Sequence, residues 1–248
     1  MTHGDVVVEE APAKLTLSLR VTGVRDDGYH LIDAEMVTLD LCDVLEIEPA
    51  SRSSLHVSGP FAAGVPSDET NLVMRALALT GHGAEVRLLK QIPHGGGLGG
   101  GSADAAAILR WAGVTDTATA ARLGADVPFC VHGGRAHVRG IGEIVEPLPV
   151  DRRPFTLVIP PLVVPTPAVF RAWDELGGPV DETTANDLTV AAIHVVPELA
   201  RWRDRITEVT GRTAKLAGSG ATWFVDGHQA GLDEALAPAR VVTTFSRG

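Results

Sequence analysis

A protein of mixed strands and helices, built as one large domain or two small ones around a shared cleft, is what this sequence predicts. Three observations lead there. A length of 248 residues with 45% hydrophobic content supports a sizeable core without a metal or disulfide staple. The chain up to Lys90 reads mostly as strand, whereas the second half carries several helical segments. Finally, PHGGGLGGGSADAAA (Pro93 to Ala107) sets six glycines within seven residues directly between a strand signal and an alanine-rich helix signal.

Taken in order, KLTLSLRV (Lys14 to Val21) alternates apolar and polar residues and reads as a strand. RDDGYH is a turn. LIDAEMVTLDLCDVLEIE continues as strand up to Pro49, and Ser51 to Val57 is a weaker strand. SDETN caps a helix at LVMRALALTG, which stops at Gly81. AEVRLLK (Ala84 to Lys90) is the strand before the glycines. Beyond them Ser102 can cap a helix ADAAAILRWAG, closed by Gly113. Thr117 to Leu123 forms a short helix ending at Gly124, and strands follow near RAHVR and EIVEPL. The proline-flanked EPLPVDRRPF marks a boundary near Val150, dividing the chain into 1–150 and 151–248. The second part opens with the strand FTLVIP and continues with helices near PAVFRAWDEL, NDLTVAAIHV and PELARWRDRITEV. AKLAGSGATWFVDG gives two short strands around a glycine loop, and a last helix near HQAGLDEALAPA leads into the strand RVVTTF.

Bulk chemistry narrows the function. The net charge is −10 and no basic run is present, which argues against a nucleic-acid surface. An acidic protein that binds an anion must concentrate positive potential locally. The two cysteines, Cys42 and Cys130, sit in no C-x-x-C or Cys/His spacing, so they read as small buried hydrophobes in a reducing compartment rather than zinc ligands. The N-terminus lacks the basic and apolar regions of a signal peptide. The longest uncharged stretch, Pro154 to Phe170, holds five prolines and falls short of the roughly 18 apolar residues of a spanning helix. A cytoplasmic protein without a membrane partner is expected. A monomer or homodimer is expected.

A strand, a bare glycine loop and a helix in succession can cradle phosphate. Backbone N–H groups converge on one anion, and the helix start adds unpaired N–H groups and its positive dipole end. Each such dipole contact contributes only about 0.3–1 kcal/mol, so many are needed together, and side chains would hold the phosphates off. The bland alternative is a flexible linker, which does not normally separate a strand from a capped helix inside a compact domain. The G-x-x-x-x-G-K-[ST] phosphate loop is absent. Gly95, Gly97 and Gly100 fit the dinucleotide pattern G-x-G-x-x-G, but that pattern needs parallel βαβ repeats, and mostly strand-like sequence precedes it.

PHGGGLGGGSADAAA resembles the second motif of the superfamily of galactokinase, homoserine kinase, mevalonate kinase and phosphomevalonate kinase. APAKLTLSL (Ala11 to Leu19) resembles its first motif and LAGSGATWF (Leu216 to Phe224) its third, in the right order. DGYH (Asp27 to His30), LGADVPF (Leu123 to Phe129) and PTPAVF (Pro165 to Phe170) narrow the resemblance to members acting on a cytidyl-diphosphate sugar alcohol. The resemblance implies a two-lobed α+β fold, with an N-terminal lobe like the second domain of ribosomal protein S5, a ferredoxin-like C-terminal lobe, and the active site between them. It also implies that ATP phosphorylates the 2-hydroxyl of a methylerythritol unit, on the non-mevalonate route to isoprenoid precursors.

Phosphoryl transfer needs a cradle, a neutralising cation and a group that takes or orients the hydroxyl proton. The cradle is Gly95, Gly96, Gly97, Leu98, Gly99, Gly100, Gly101 and Ser102; the Ser102 hydroxyl can meet a phosphate or Mg²⁺, or simply cap the helix. By the resemblance, Asp126 is the base and Lys14 its partner, orienting the carboxylate and polarising the acceptor oxygen; taken alone they read as a turn aspartate and an exposed strand lysine. Tyr29 can stack on a pyrimidine and His30 can read a base edge, although a turn with partly buried rings explains them equally. The resemblance makes Phe170 the opposing aromatic and brings Thr166 to the substrate diphosphate. Gly218, Ser219 and Gly220 are the cleft-closing loop, or a plain turn. Asn71, Leu72 and Lys90 are offered for the adenine. No second carboxylate is placed by motif for Mg²⁺.

Two positions depart from the superfamily pattern. Thr16 stands where Asn is usual and, by the resemblance, takes that residue's place in binding substrate, and Ala103 replaces a second serine; both departures bear on substrate identity. The rival readings are a kinase of the superfamily with a different acceptor, a nucleotide-binding protein without catalysis, and a dehydrogenase.

Overall fold

In the computed structural model, residues 5–179 and 183–248 are described. Val7–Val24 forms strand β1 and His30–Pro49 strand β2, paired antiparallel along nearly their whole length. β1 starts seven residues before the Lys14–Val21 alternation and carries an extra residue at the Thr16/Ser18 and Val21/Gly23 register shifts, whereas at the Pro12/Lys14 shift the extra residues lie in β2, between Thr38 and Cys42. Such bulges bend a strand and re-aim its side chains. Here Ala13, Lys14, Leu15 and Thr16 are all buried. Ala13 and Leu15 enter an apolar core while Lys14 and Thr16 line a cleft.

β2 also pairs antiparallel with β4 (Ala84–Leu89) through Val44–Pro49 and with β5 (Arg135–Gly140) through Ile32–Val37. β3 (Ser54–Ser58) runs parallel to β4, and β6 (Ile144–Leu148) runs antiparallel to β5. A sheet with β3–β4 as its one parallel pair among the described residues contains no run of parallel βαβ units, so the dinucleotide and dehydrogenase reading falls. Helices α1 (Leu72–Thr80), α2 (Gly100–Trp111), α3 (Thr117–Ala121) and α4 (Val127–His132) accompany this sheet. The small side chains Ala103, Ala105, Ala106 and Ala107 are fully buried and let α2 lie close to β1 and α1.

The second sheet comprises β7 (Pro154–Ile159), β8 (Lys215–Leu216), β9 (Trp223–Asp226) and β10 (Arg240–Phe245), antiparallel in the order β10-β7-β9-β8. Between β7 and β8 run α5 (Thr166–Glu175), α6 (Leu188–Val195) and α7 (Glu198–Thr210). The architecture is α+β, as the sequence predicts. The last predicted helix, near HQAGLDEALAPA, does not form. An isolated turn, in which Leu236 N–H donates to Leu232 C=O at 2.8 Å, takes its place. Gly231 and Pro238 frame too short a run for propagation, yet Leu232 and Leu236 still bury their side chains.

The two sheets meet over a core of Ala13, Leu15, Val37, Leu39, Ile92, Leu98, Phe155, Leu157, Ala217 and Phe224. Asp40 of β2 accepts from the Thr244 hydroxyl at 2.6 Å and from Phe245 N–H at 2.9 Å, fixing β10 against the first sheet.

Candidate active site

Residues 93–99 lead from β4 into α2, and the glycines there serve two ends. A Cβ on Gly97 would lie 2.1 Å from the Ala217 carbonyl oxygen, and one on Gly99 would lie 2.8 Å from Cγ of Lys14. Both have positive φ, 78° and 69°, so only glycine fits either position without strain. These two are bare because the protein itself must approach. At Gly95 the nearest such atom is Val163 Cγ1 at 3.9 Å, and Gly95 lines the cleft. The Leu98 side chain is fully buried between the sheets, which leaves only its backbone for the cradle. It anchors the loop, and its carbonyl accepts from Lys14 N–H at 3.0 Å. One correction concerns the helix start. α2 begins at Gly100 with Gly99 as its cap, and Ala103 N–H donates to Gly99 C=O at 2.8 Å. Ser102 therefore sits within the first turn rather than capping it, with its residue lining the cleft.

The cleft is about 800 Å³ and gathers most of the predicted residues. Lys14 is 5% exposed. Its ammonium lies 3.3 Å from Asp126 Oδ2 and donates to the Thr16 hydroxyl at 3.1 Å. Asp126 occupies the cap position of α4, yet makes no side-chain capping bond. A carboxylate free of that duty faces the cleft, about a third exposed. The Thr16 hydroxyl thus positions the lysine.

Behind the loop Lys90 centres a buried triad whose carboxylates, Asp43 and Asp104, lie outside the sequence reading. The Lys90 ammonium donates to Asp43 and, at 2.7 Å, to Asp104 Oδ2. Asp43 also accepts from the backbone N–H groups of Gln91 and Ile92. Burial pushes the Asp104 carboxyl up to about 7, against the pull of Lys90, and Asp43 adds to the rise. The two carboxylates raise Lys90 despite its burial. Lys90 touches the cleft but its charge is already engaged. Asn71 caps α1, accepting from Val73 N–H at 2.8 Å and donating to Pro66 C=O at 2.7 Å. Asn71 and Leu72 both line the cleft.

Tyr29, His30, Thr166 and Phe170 line the same cleft. Tyr29 is 61% exposed. The ring that stacks on Phe170 is His30, with centroids 4.7 Å apart. Ser219 and Thr166 share a hydroxyl hydrogen bond at 2.7 Å. Thr222 N–H donates to Gly96 C=O at 3.2 Å, so the loop of Gly218, Ser219 and Gly220 is tied to the glycine loop. Asn186, absent from the sequence reading, pins it from the other side, donating to the carbonyls of Leu216 and Gly218 at 3.0 and 2.7 Å. Asp174, likewise missed, holds His30 Nε2 at 2.8 Å. Among the described residues no group of three His, Cys, Asp or Glu could hold a metal ion, and no helix is long and apolar enough to cross a membrane.

The family GHMP kinases N terminal domain matches residues 71–134. The chain is 42% identical over 241 residues to a 4-diphosphocytidyl-2-C-methyl-D-erythritol kinase of Cereibacter sphaeroides, covering 86% of this chain and 87% of the relative. It is 41% identical over 234 residues to the protein of that name from Paracoccus denitrificans, covering 87% and 85%. A crystal structure of 4-(cytidine 5'-diphospho)-2C-methyl-D-erythritol kinase superposes with a TM-score of 0.74 at 34% identity, covering 98% of this chain and 100% of that one. The mevalonate kinase of Methanococcus jannaschii, at 14% identity and a TM-score of 0.62 over 99% of each chain, shares the fold.

Proposed function

The chain belongs to the 4-diphosphocytidyl-2-C-methyl-D-erythritol kinases, and from that premise we propose how its own residues carry out ATP-dependent phosphorylation of the 2-hydroxyl of the methylerythritol unit. The observation that carries the reading is the Lys14–Asp126 pair, 3.3 Å apart on the wall of the cleft that the glycine loop also lines.

In this reading the loop N–H groups and the start of α2 grip the nucleotide phosphates. Asp126 accepts the proton of the attacking hydroxyl. Lys14, fixed by Thr16 and by its backbone bond to Leu98, orients that carboxylate and steadies the charge on the acceptor oxygen. Asn71 and Leu72 border the nucleotide end. Lys90 supports it from beneath rather than touching the base with its charge. Tyr29, His30, Thr166 and Phe170 take the cytidyl-diphosphate end, and Ser219 closes over it. Mg²⁺ prefers hard oxygen donors and keeps phosphate ligands. The Ser102 hydroxyl on the cleft wall fits that preference, and the ion would neutralise phosphate charge. On this reading the enzyme works on small molecules in the cytoplasm, as a monomer or homodimer.

A coupled assay of ADP release, with ATP and the cytidyl-diphospho-methylerythritol substrate, tests the assignment. Asp126→Ala is expected to lower kcat by at least about 10²-fold, the low end for losing general-base catalysis, with thermal stability retained. An unchanged rate removes Asp126 from this role.

A further inference from the structure

One ring in the cleft is held more tightly than its neighbours. Phe170, Trp173 and Asp174 fall at i, i+3 and i+4 on α5 and so share a face. All three meet His30. Phe170 lies 4.7 Å away, tilted by 34°, and Trp173 stands edge-on at 5.7 Å and 89°. Asp174 Oδ1 lies 2.8 Å from Nε2. Among the described residues no hydrogen bond reaches Nδ1, and His30 borders the cleft.

A carboxylate only accepts, so Nε2 must carry the proton, and in the neutral imidazole Nδ1 is then an acceptor. The rings of Phe170 and Trp173 flank the imidazole, and the Nε2–Asp174 bond holds its orientation between them. We propose that Asp174 is a positioning residue that sets the base preference of this site: it fixes His30 as an acceptor, which selects a pyrimidine bearing an exocyclic amino group over one bearing a keto oxygen at the same place. The inference rests on the cytidyl-diphosphate reading given above. A keto oxygen there would face the Nδ1 lone pair, leaving two acceptors without a donor, and such mismatches are costly out of water.

The test compares cytidyl- and uridyl-diphosphate forms of the acceptor in the wild type and in Asp174→Asn, whose amide can either donate or accept. The wild type is expected to favour the cytidyl form in kcat/KM by at least about 10²-fold. In the variant that ratio should fall by about tenfold or more, through a raised KM for the cytidyl form with kcat nearly unchanged. ¹⁵N spectra of the wild-type imidazole should show the proton on Nε2, and those of the variant a mixture. A base ratio unaltered in a folded Asp174→Asn protein, or a wild-type His30 protonated on Nδ1, overturns the proposal. The wild-type spectra need neither turnover nor a folded variant. A wild type inactive on both substrates but with the Nε2–H tautomer would instead refute the cytidyl-diphosphate reading, and with it the base preference.

Discussion

At the scale of single residues, the glycine loop separates two reasons for lacking a side chain. Gly97 is bare because a carbonyl of the third motif occupies the space, whereas Gly95 opens on the cleft. Gly97→Ala is therefore expected to move backbone and to destabilise by well over the strain of its positive φ. Gly95→Ala should cost only that strain, about 1–2 kcal/mol, while weakening ATP binding. Urea unfolding of both variants, with nucleotide titration of the second, checks the contrast. Equal stabilities would show that the Ala217 contact does not constrain the loop. Lys14 and Asp126 could be named from their motifs because each sits in a short, distinctive stretch. Asp174 and Asn186 could not, since an aspartate on a helix and an asparagine in a turn acquire meaning only from partners 144 and 32 residues away.

At the scale of elements, α2 carries the sharpest electrostatic consequence. The cluster of Lys90, Asp43 and Asp104 holds one cation and two carboxyl groups, and burial lifts Asp104 to about 7. In the unfolded chain that carboxyl titrates in the ordinary range, so between about pH 4 and pH 7 the folded protein keeps a proton the unfolded chain has lost. Stability from this group is present at low pH and falls as pH rises through that window, by at most about 1.4 kcal/mol per unit. Asp104→Asn should flatten the slope, which urea midpoints of the nucleotide-free protein between pH 5 and pH 8 will show. Equal slopes would refute the buried proton. Much of the element order was legible from periodicity and caps, α1 with Asn71 and Gly81 being the clearest case. Two errors have physical causes. α4 escaped notice because VPFCVH is short and largely apolar, with no polar face to reveal a helical period. The absent last helix has the composition of one but no room to propagate.

At the scale of the whole molecule, the core between the sheets and the glycine loop are one structure, joined at Leu98. Leu98→Ala should destabilise by about 2–5 kcal/mol and also reduce the rise in Tm that saturating ATP produces. Calorimetry with and without nucleotide measures both; an unchanged nucleotide shift would uncouple loop from core. A similar economy governs β2. The strand opens with His30, on the cleft wall, and thirteen positions later carries Asp43, which braces Lys90 behind the glycine loop. Extended backbone advances a set distance, about 3.3 Å, for each residue. Residue count therefore helps set the spacing between the two ends of the cleft. Within its regular stretches one added or deleted residue would turn the later side chains to the opposite face, and the bulge between Thr38 and Cys42 is where β2 departs from that regular advance.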